Sequence, residues 1–156
     1  MKKILIIITI LISLIVYSTA QDYNTGIGLR AGVENGLTIK HFNTGNSSLE
    51  GIISSRWEGF SFTGLYEKHQ PAFDENRLNF YYGVGGHIGF WNGDNVGWVD
   101  DDKDYTVIGV DGILGLEYNF VEIPFNVSID WKPAFNIVGY SGLWLDGGAL
   151  SIRYIF

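Results

Sequence analysis

From Phe125 to Ile137 every second residue is apolar: Phe125, Val127, Ile129, Trp131, Pro133, Phe135 and Ile137. The residues between them, Asn126, Ser128, Asp130, Lys132, Ala134 and Asn136, are polar, charged or small. A period of two puts the two sets on opposite faces of an extended strand, which no helix can do. The stretch before it repeats the pattern, with Ile108, Val110, Leu114, Leu116, Tyr118 and Phe120 opposed to Gly109, Asp111, Ile113, Gly115, Glu117 and Asn119. So does an earlier one, where Leu78, Phe80, Tyr82, Val84, Ile88 and Phe90 oppose Asn79, Tyr81, Gly83, Gly85, His87 and Gly89.

Alternation of this kind recurs from Asn24 to the end of the chain and predicts eight strands, at about Asn24 to Gly32, Gly36 to Phe42, Ser48 to Trp57, Gly59 to Lys68, Leu78 to Trp91, Tyr105 to Phe120, Pro124 to Val138 and Trp144 to Phe156. Glu34-Asn35-Gly36 and Glu58-Gly59 read as tight hairpin turns, Asn43 to Ser47 and Val121 to Ile123 as short links, and only Asn92 to Asp104 as a long loop. An even number of strands joined by short turns suits a closed antiparallel up-and-down barrel. With 21 glycines, 15% aromatic residues and only three prolines, the composition suits β-structure with tight turns.

The beginning of the chain reads as an export signal. Lys2 and Lys3 precede an apolar run from Ile4 to Tyr17, and small residues at Ser18 and Ala20 come before the polar Gln21-Asp22. The run is shorter than the roughly 20 residues a spanning helix needs, so residues 1–20 are expected to be a cleaved signal peptide and residues 21–156 a single domain. Losing Lys2 and Lys3 leaves eight Lys and Arg against 17 Asp and Glu, a formal charge of −9 that disfavours nucleic acid as a partner. The absence of cysteine excludes a disulfide scaffold, a thiolate metal site and a cysteine nucleophile.

A soluble sandwich also alternates, so periodicity leaves open whether the apolar face meets a core or lipid. The export signal, the alternation sustained over ten or more residues, and the aromatics near strand ends (Phe90, Trp91, Tyr118, Phe120, Phe125, Tyr154 and Phe156) favour a transmembrane barrel. With the apolar face outward, Arg30, Lys40, Glu50, Arg56, Glu67, Asp111, Glu117, Asp130, Lys132 and Arg153 all fall in the lumen, five of each sign. A charge facing lipid at mid-membrane costs about 2 to 4 kcal/mol, whereas one inside a narrow lumen can meet an opposite partner. Inward glycines 83, 85, 89, 109 and 115 alternate with Tyr81, His87, Asp111, Ile113 and Glu117, letting a narrow barrel fill itself. Pro133 cannot donate to a ladder and predicts a bulge at its own position or a place near the rim.

Four stretches carry a resemblance: Gly109-Val110-Asp111-Gly112-Ile113-Leu114-Gly115-Leu116-Glu117-Tyr118, then Glu122-Ile123-Pro124, Asp130-Trp131-Lys132-Pro133, and Ser151-Ile152-Arg153-Tyr154-Ile155-Phe156. They resemble the small outer-membrane β-barrel domain family, most densely over residues 105–156. The resemblance implies an OmpX-like, eight-stranded barrel of the Gram-negative outer membrane and supplies no catalytic residues. The ending, Phe156 with Tyr154, Ile152 and Leu150 at alternate positions, is similar to the signal read by the outer-membrane assembly machinery.

No reactive constellation stands out. His41, His69 and His87 lie on different strands without metal-ligand spacing; a lipid-trimming arrangement would need His87 near Ser61 or Glu117. Gly83-Val84-Gly85-Gly86-His87-Ile88-Gly89 lacks the spacing and the following helix of a dinucleotide loop. Asp94, Asp100, Asp101, Asp102 and Asp104 lack the spacing of an EF-hand and read as a solvated acidic loop. The expectation is therefore an all-β, eight-stranded antiparallel transmembrane barrel with a side-chain-filled lumen, with no catalytic, cofactor-binding or metal residues. Its expected role is structural or interactive and non-enzymatic, in contact with outer-membrane lipid and lipopolysaccharide and, through its last strand, with the barrel assembly machinery. A small-solute pore, a lipid-modifying barrel enzyme and a soluble lipocalin-like carrier are the alternatives.

Overall fold

The computed structural model describes residues 24–43, 46–73, 75–93, 96–97 and 103–156. The expected signal peptide and Asp94, Asp100, Asp101 and Asp102 of the acidic loop lie outside them. Ten strands form one antiparallel sheet: β1 (Thr25–Gly32), β2 (Asn35–Asn43), β3 (Ser47–Arg56), β4 (Gly59–Ala72), β5 (Glu75–Asn92), β6 (Asp104–Asn119), β7 (Phe125–Trp131), β8 (Ala134–Val138), β9 (Gly142–Trp144) and β10 (Gly148–Ile155). β7 and β8 are two lengths of one stave, and β9 and β10 two lengths of another, so the barrel has eight staves. Each pairs with its successor, and β1 closes the circle on β10 from Gly26↔Ile155 to Gly32↔Ala149. Closure removes the sheet edge along β1 and β10, and above them the short β9 pairs with β8 alone.

The turns fall close to the sequence reading, with shifts of a residue or so. The β1–β2 hairpin turns at Val33 and Glu34, and the Asn35 side chain accepts a hydrogen bond from Gly32 N (3.1 Å), so Asn35 closes the turn and begins β2. The β3–β4 hairpin turns on Trp57 and Glu58 with φ of 51° and 56°. Two left-handed residues match the twist of a two-residue hairpin, and a tryptophan there is strained unless its side chain is held in place.

β4 runs four residues past its expected end at Lys68. Pro71 pairs with Asn79 of β5 beyond the last β3 partner, at the lower rim, where a residue without N–H leaves no β3 carbonyl waiting.

Pro133 corrects an expectation. It sits in mid-stave rather than at the rim, and the register with β6 is unbroken across it, Gly112 N donating to Pro133 O at 2.9 Å. The extra residue lies on the neighbouring stave instead. Trp131 faces Gly148 and Ala134 faces Trp144, so residues 132–133 stand opposite 145–147. The proline's missing donor is accommodated by a bulge in its partner.

The wall is turned inside out relative to a soluble protein. Leu29, Leu37, Ile53, Phe62, Val84, Val110, Ile129, Phe135, Leu150 and Ile152 are all exposed, whereas Lys40, Glu67, Asn126, Asn136 and Arg153 are 0% exposed. Aromatic pairs gather on the wall at two levels. Phe60 packs on Phe62 and Phe90 toward the upper end. Tyr118–Phe120, Phe125–Tyr154 and Tyr154–Phe156 ring the lower end, where β1 begins and β10 stops.

Candidate functional site: the lumen charge network

All ten charged residues assigned to the lumen point inward, Arg56 at the upper mouth. They divide into two layers. In the lower layer Lys40 Nζ lies 2.9 Å from Glu67, 3.2 Å from Glu50 and 3.5 Å from Glu117, one ammonium among carboxylates from three strands. Arg153 of β10 reaches across to β2, β3 and β7. It donates to Glu50 (2.5 Å), Ser128 Oγ (2.9 Å), Asn126 Oδ1 (3.0 Å) and Thr38 Oγ1 (3.3 Å), while the Thr38 hydroxyl itself donates to Glu50. Arg30 forms a two-pronged pair with Asp130 at 2.8 and 2.5 Å. Charges withdrawn from water cost several kcal/mol each unless partners of this quality offset them.

Tyr81 joins these pairs. Its hydroxyl donates to Asp130 (3.0 Å), Lys40 Nζ stands 4.0 Å from its ring centroid, and His69 stacks on it at 5.3 Å. To reach Asp130 the ring must lie across β6, and Gly115 is the residue it crosses, because Tyr81, Gly115 and Asp130 occupy one register row. A Cβ at Gly115 would come within 2.5 to 2.7 Å of the tyrosine ring and hydroxyl. His87 uses Gly109 in the same way.

In the upper layer Asp111 meets Lys132 (3.2 Å) and His87 Nδ1 (2.8 Å), and Lys132 also pairs with Glu34 (3.3 Å). Above them Trp57, Trp91 and Trp144 meet edge to face at 5.5 and 5.6 Å. Arg56 lies 3.7 Å over Trp57, and its carbonyl accepts a hydrogen bond from Trp91 Nε1 (2.9 Å). These contacts hold the strained Trp57 turn. Asp146, from the bulge opposite Pro133, pairs with Arg56 at 2.5 Å but keeps a half-exposed carboxylate. Because water screens that pair, Asp146→Ala is expected to cost no more than about 1 kcal/mol in urea unfolding; a cost of several kcal/mol would mean that the mouth pair carries the fold.

His87 joins the network from the inward face that the strand pattern gave it, whereas Glu34, Asp146 and His69 join it although the pattern did not single them out. Glu34 and Asp146 lie in a turn and a bulge, where a period of two says nothing. His69 was recoverable, since carrying the β4 alternation past Glu67 puts it inward.

Among the described residues His87, Ser61 and Glu117 each take other partners. His87 binds Asp111, and Ser61 binds Ser54 at 3.0 Å, while Glu117 belongs to the lower layer. His69 lies in the lower layer and His41 faces outward beside Thr25, so the three histidines do not converge. Among the described residues no group of His, Asp and Glu is arranged to hold a metal. What the lumen can do is lock staves together and block itself: its largest side chains, Arg153, Tyr81 and Lys40 among them, are beyond the reach of water. Compared with protein-family models and with curated proteins the chain matches none, so the wall and the lumen carry the functional reading.

Proposed function

We propose that this protein is an integral outer-membrane β-barrel of the small, OmpX-like kind, with a plugged lumen and a structural or interaction role rather than a catalytic one. The observation that carries the reading is the inversion of polarity: an exterior of aliphatic and aromatic side chains around an interior of buried ion pairs. In water such a wall would be an aggregation surface, whereas in lipid it meets its own kind. The aromatic pairs at two levels suit the two membrane interfaces. Lipid and lipopolysaccharide would surround the wall, and recognition would fall to the turns at the mouth.

Three measurements test this together. The chain should stay in the membrane pellet through alkaline extraction and migrate differently on gels before and after boiling, and in planar bilayers it should show no stable single-channel steps. Release as a soluble protein would overturn the membrane reading, and a reproducible conductance would replace the plug with a small-solute pore, since an eight-stranded interior is ordinarily just filled by its own side chains.

A further inference from the structure

On the outer wall, Gly51 of β3, Gly64 of β4 and Gly86 of β5 lie side by side in one register row and all face outward. A strand interior gains nothing from glycine by itself; it loses packing and marks a place where something approaches the backbone closely. No neighbour accounts for Gly64, since a Cβ there would meet nothing within 4 Å. Gly51 and Gly64 floor a recess of about 530 Å³ whose sides are Ile39, Leu49, Tyr66 and Val84, and Gly86 continues the row beside it.

The recess has a charged lower lip. His41 lines it, and with Thr25 Oγ1 2.8 Å from Nδ1 the ring keeps Nε2 for an outside partner. Lys68 lies two residues beyond Tyr66 on the same outward face, its Nζ 5.6 Å from the tyrosine ring. Four residues of strand separate Lys68 from Gly64, about 13 Å of wall. An apolar recess with a cation just beyond its Tyr66 side matches an acyl chain joined to an anionic headgroup, and a recess left empty in lipid would forfeit the dispersion contacts of its lining.

We propose that this recess is a binding site for one anionic phospholipid, its chain lying over Gly51, Gly64 and Gly86 and its phosphate between Lys68 and His41. The inference rests on the reading that the wall lies in a membrane, and places the headgroup at the level of the lower aromatic ring. It runs against the chain's overall charge of −7, which would repel anionic lipid in general. A preference for such lipid therefore reports this site rather than bulk attraction.

The test is reconstitution of the full chain into vesicles of equal phosphatidylglycerol and phosphatidylcholine, followed by native mass spectrometry of the lipid that stays bound. Wild type is expected to retain one phosphatidylglycerol about fivefold over phosphatidylcholine, the effect of one lysine beside anionic lipid. Lys68→Gln should erase that preference, and Gly64→Leu, which fills the trench from open space, should remove the bound lipid while the folded gel mobility stays unchanged. Equal retention of the two lipids, a preference indifferent to Gly64→Leu, or a dimer mass that Gly64→Leu abolishes would overturn the proposal, the last by showing the trench to be covered by a second copy. A chain that fails to enter vesicles overturns the membrane reading along with it, whereas insertion without preference overturns this inference alone.

Discussion

Lys40→Met should cost the barrel about 3 to 5 kcal/mol, the usual penalty for removing one partner of a buried ionic cluster. Lys40 is 0% exposed and stands within 3.5 Å of Glu50, Glu67 and Glu117. Methionine keeps most of the volume, so the loss is of charge rather than of packing. Of the three carboxylates only Glu50 would keep Arg153 of β10, and Glu67 and Glu117 would be left to His69, 3.3 and 3.1 Å away. Urea unfolding in vesicles, followed by tryptophan fluorescence and gel mobility, measures the cost. Adding Glu67→Gln should recover part of it, because one uncompensated charge leaves with the second substitution. A Lys40→Met loss below about 1 kcal/mol would show the lumen to be wet enough to screen its own charges, and the plugged reading would fall with it.

Arg153 gives the complementary case. Its guanidinium ties β10 to β2, β3 and β7, so it reaches across the place where the barrel closes on β1. Lys40 joins β2 to β3, β4 and β6, across the lumen but away from that seam. Both are lumen cations in the strand pattern, and the pattern cannot tell which of them reaches across the seam.

This marks where legibility ends. Parity alone assigns an inward or outward face, so the lumen membership of Arg30, Glu117 or Lys132 can be read from the chain without knowing any contact. Partners depend on register, and register accumulates across eight staves. Nothing in the alternation says that Arg153 meets Glu50, 103 positions away. Pro133 shows the same limit from another side. Its missing N–H announces a disturbance in the ladder, but the bulge that answers it forms at residues 145–147 of the partner stave, because β6 holds Pro133 in register through Gly112. The outward row of Gly51, Gly64 and Gly86 is likewise invisible along the chain, being a row only once β3, β4 and β5 are aligned.

The strictest consequence of that alignment concerns Gly115. In an ordinary strand, replacing glycine by alanine helps slightly, since backbone entropy and β-propensity both favour the larger residue. At Gly64, where the space is open, that expectation holds. At Gly115 the sign should reverse, because the new Cβ would lie 2.5 Å from Cζ of Tyr81. The ring has no room to retreat, being fully buried, bonded to Asp130 and flanked by Lys40 and His69. Gly115→Ala is thus expected to cost about 2 to 4 kcal/mol, overpacking combined with a weakened buried hydrogen bond. The decisive arm is the double variant. Tyr81→Leu alone is destabilising, since it empties the crossing and strips Asp130 of a donor, but in its presence Gly115→Ala no longer meets a ring and should be neutral or better. A coupling of about 1 to 3 kcal/mol between the two positions would confirm that Gly115 exists to let Tyr81 cross β6. Additive costs would show instead that the backbone at Gly115 is what matters, and the small/large interleaving of the lumen would lose its physical explanation.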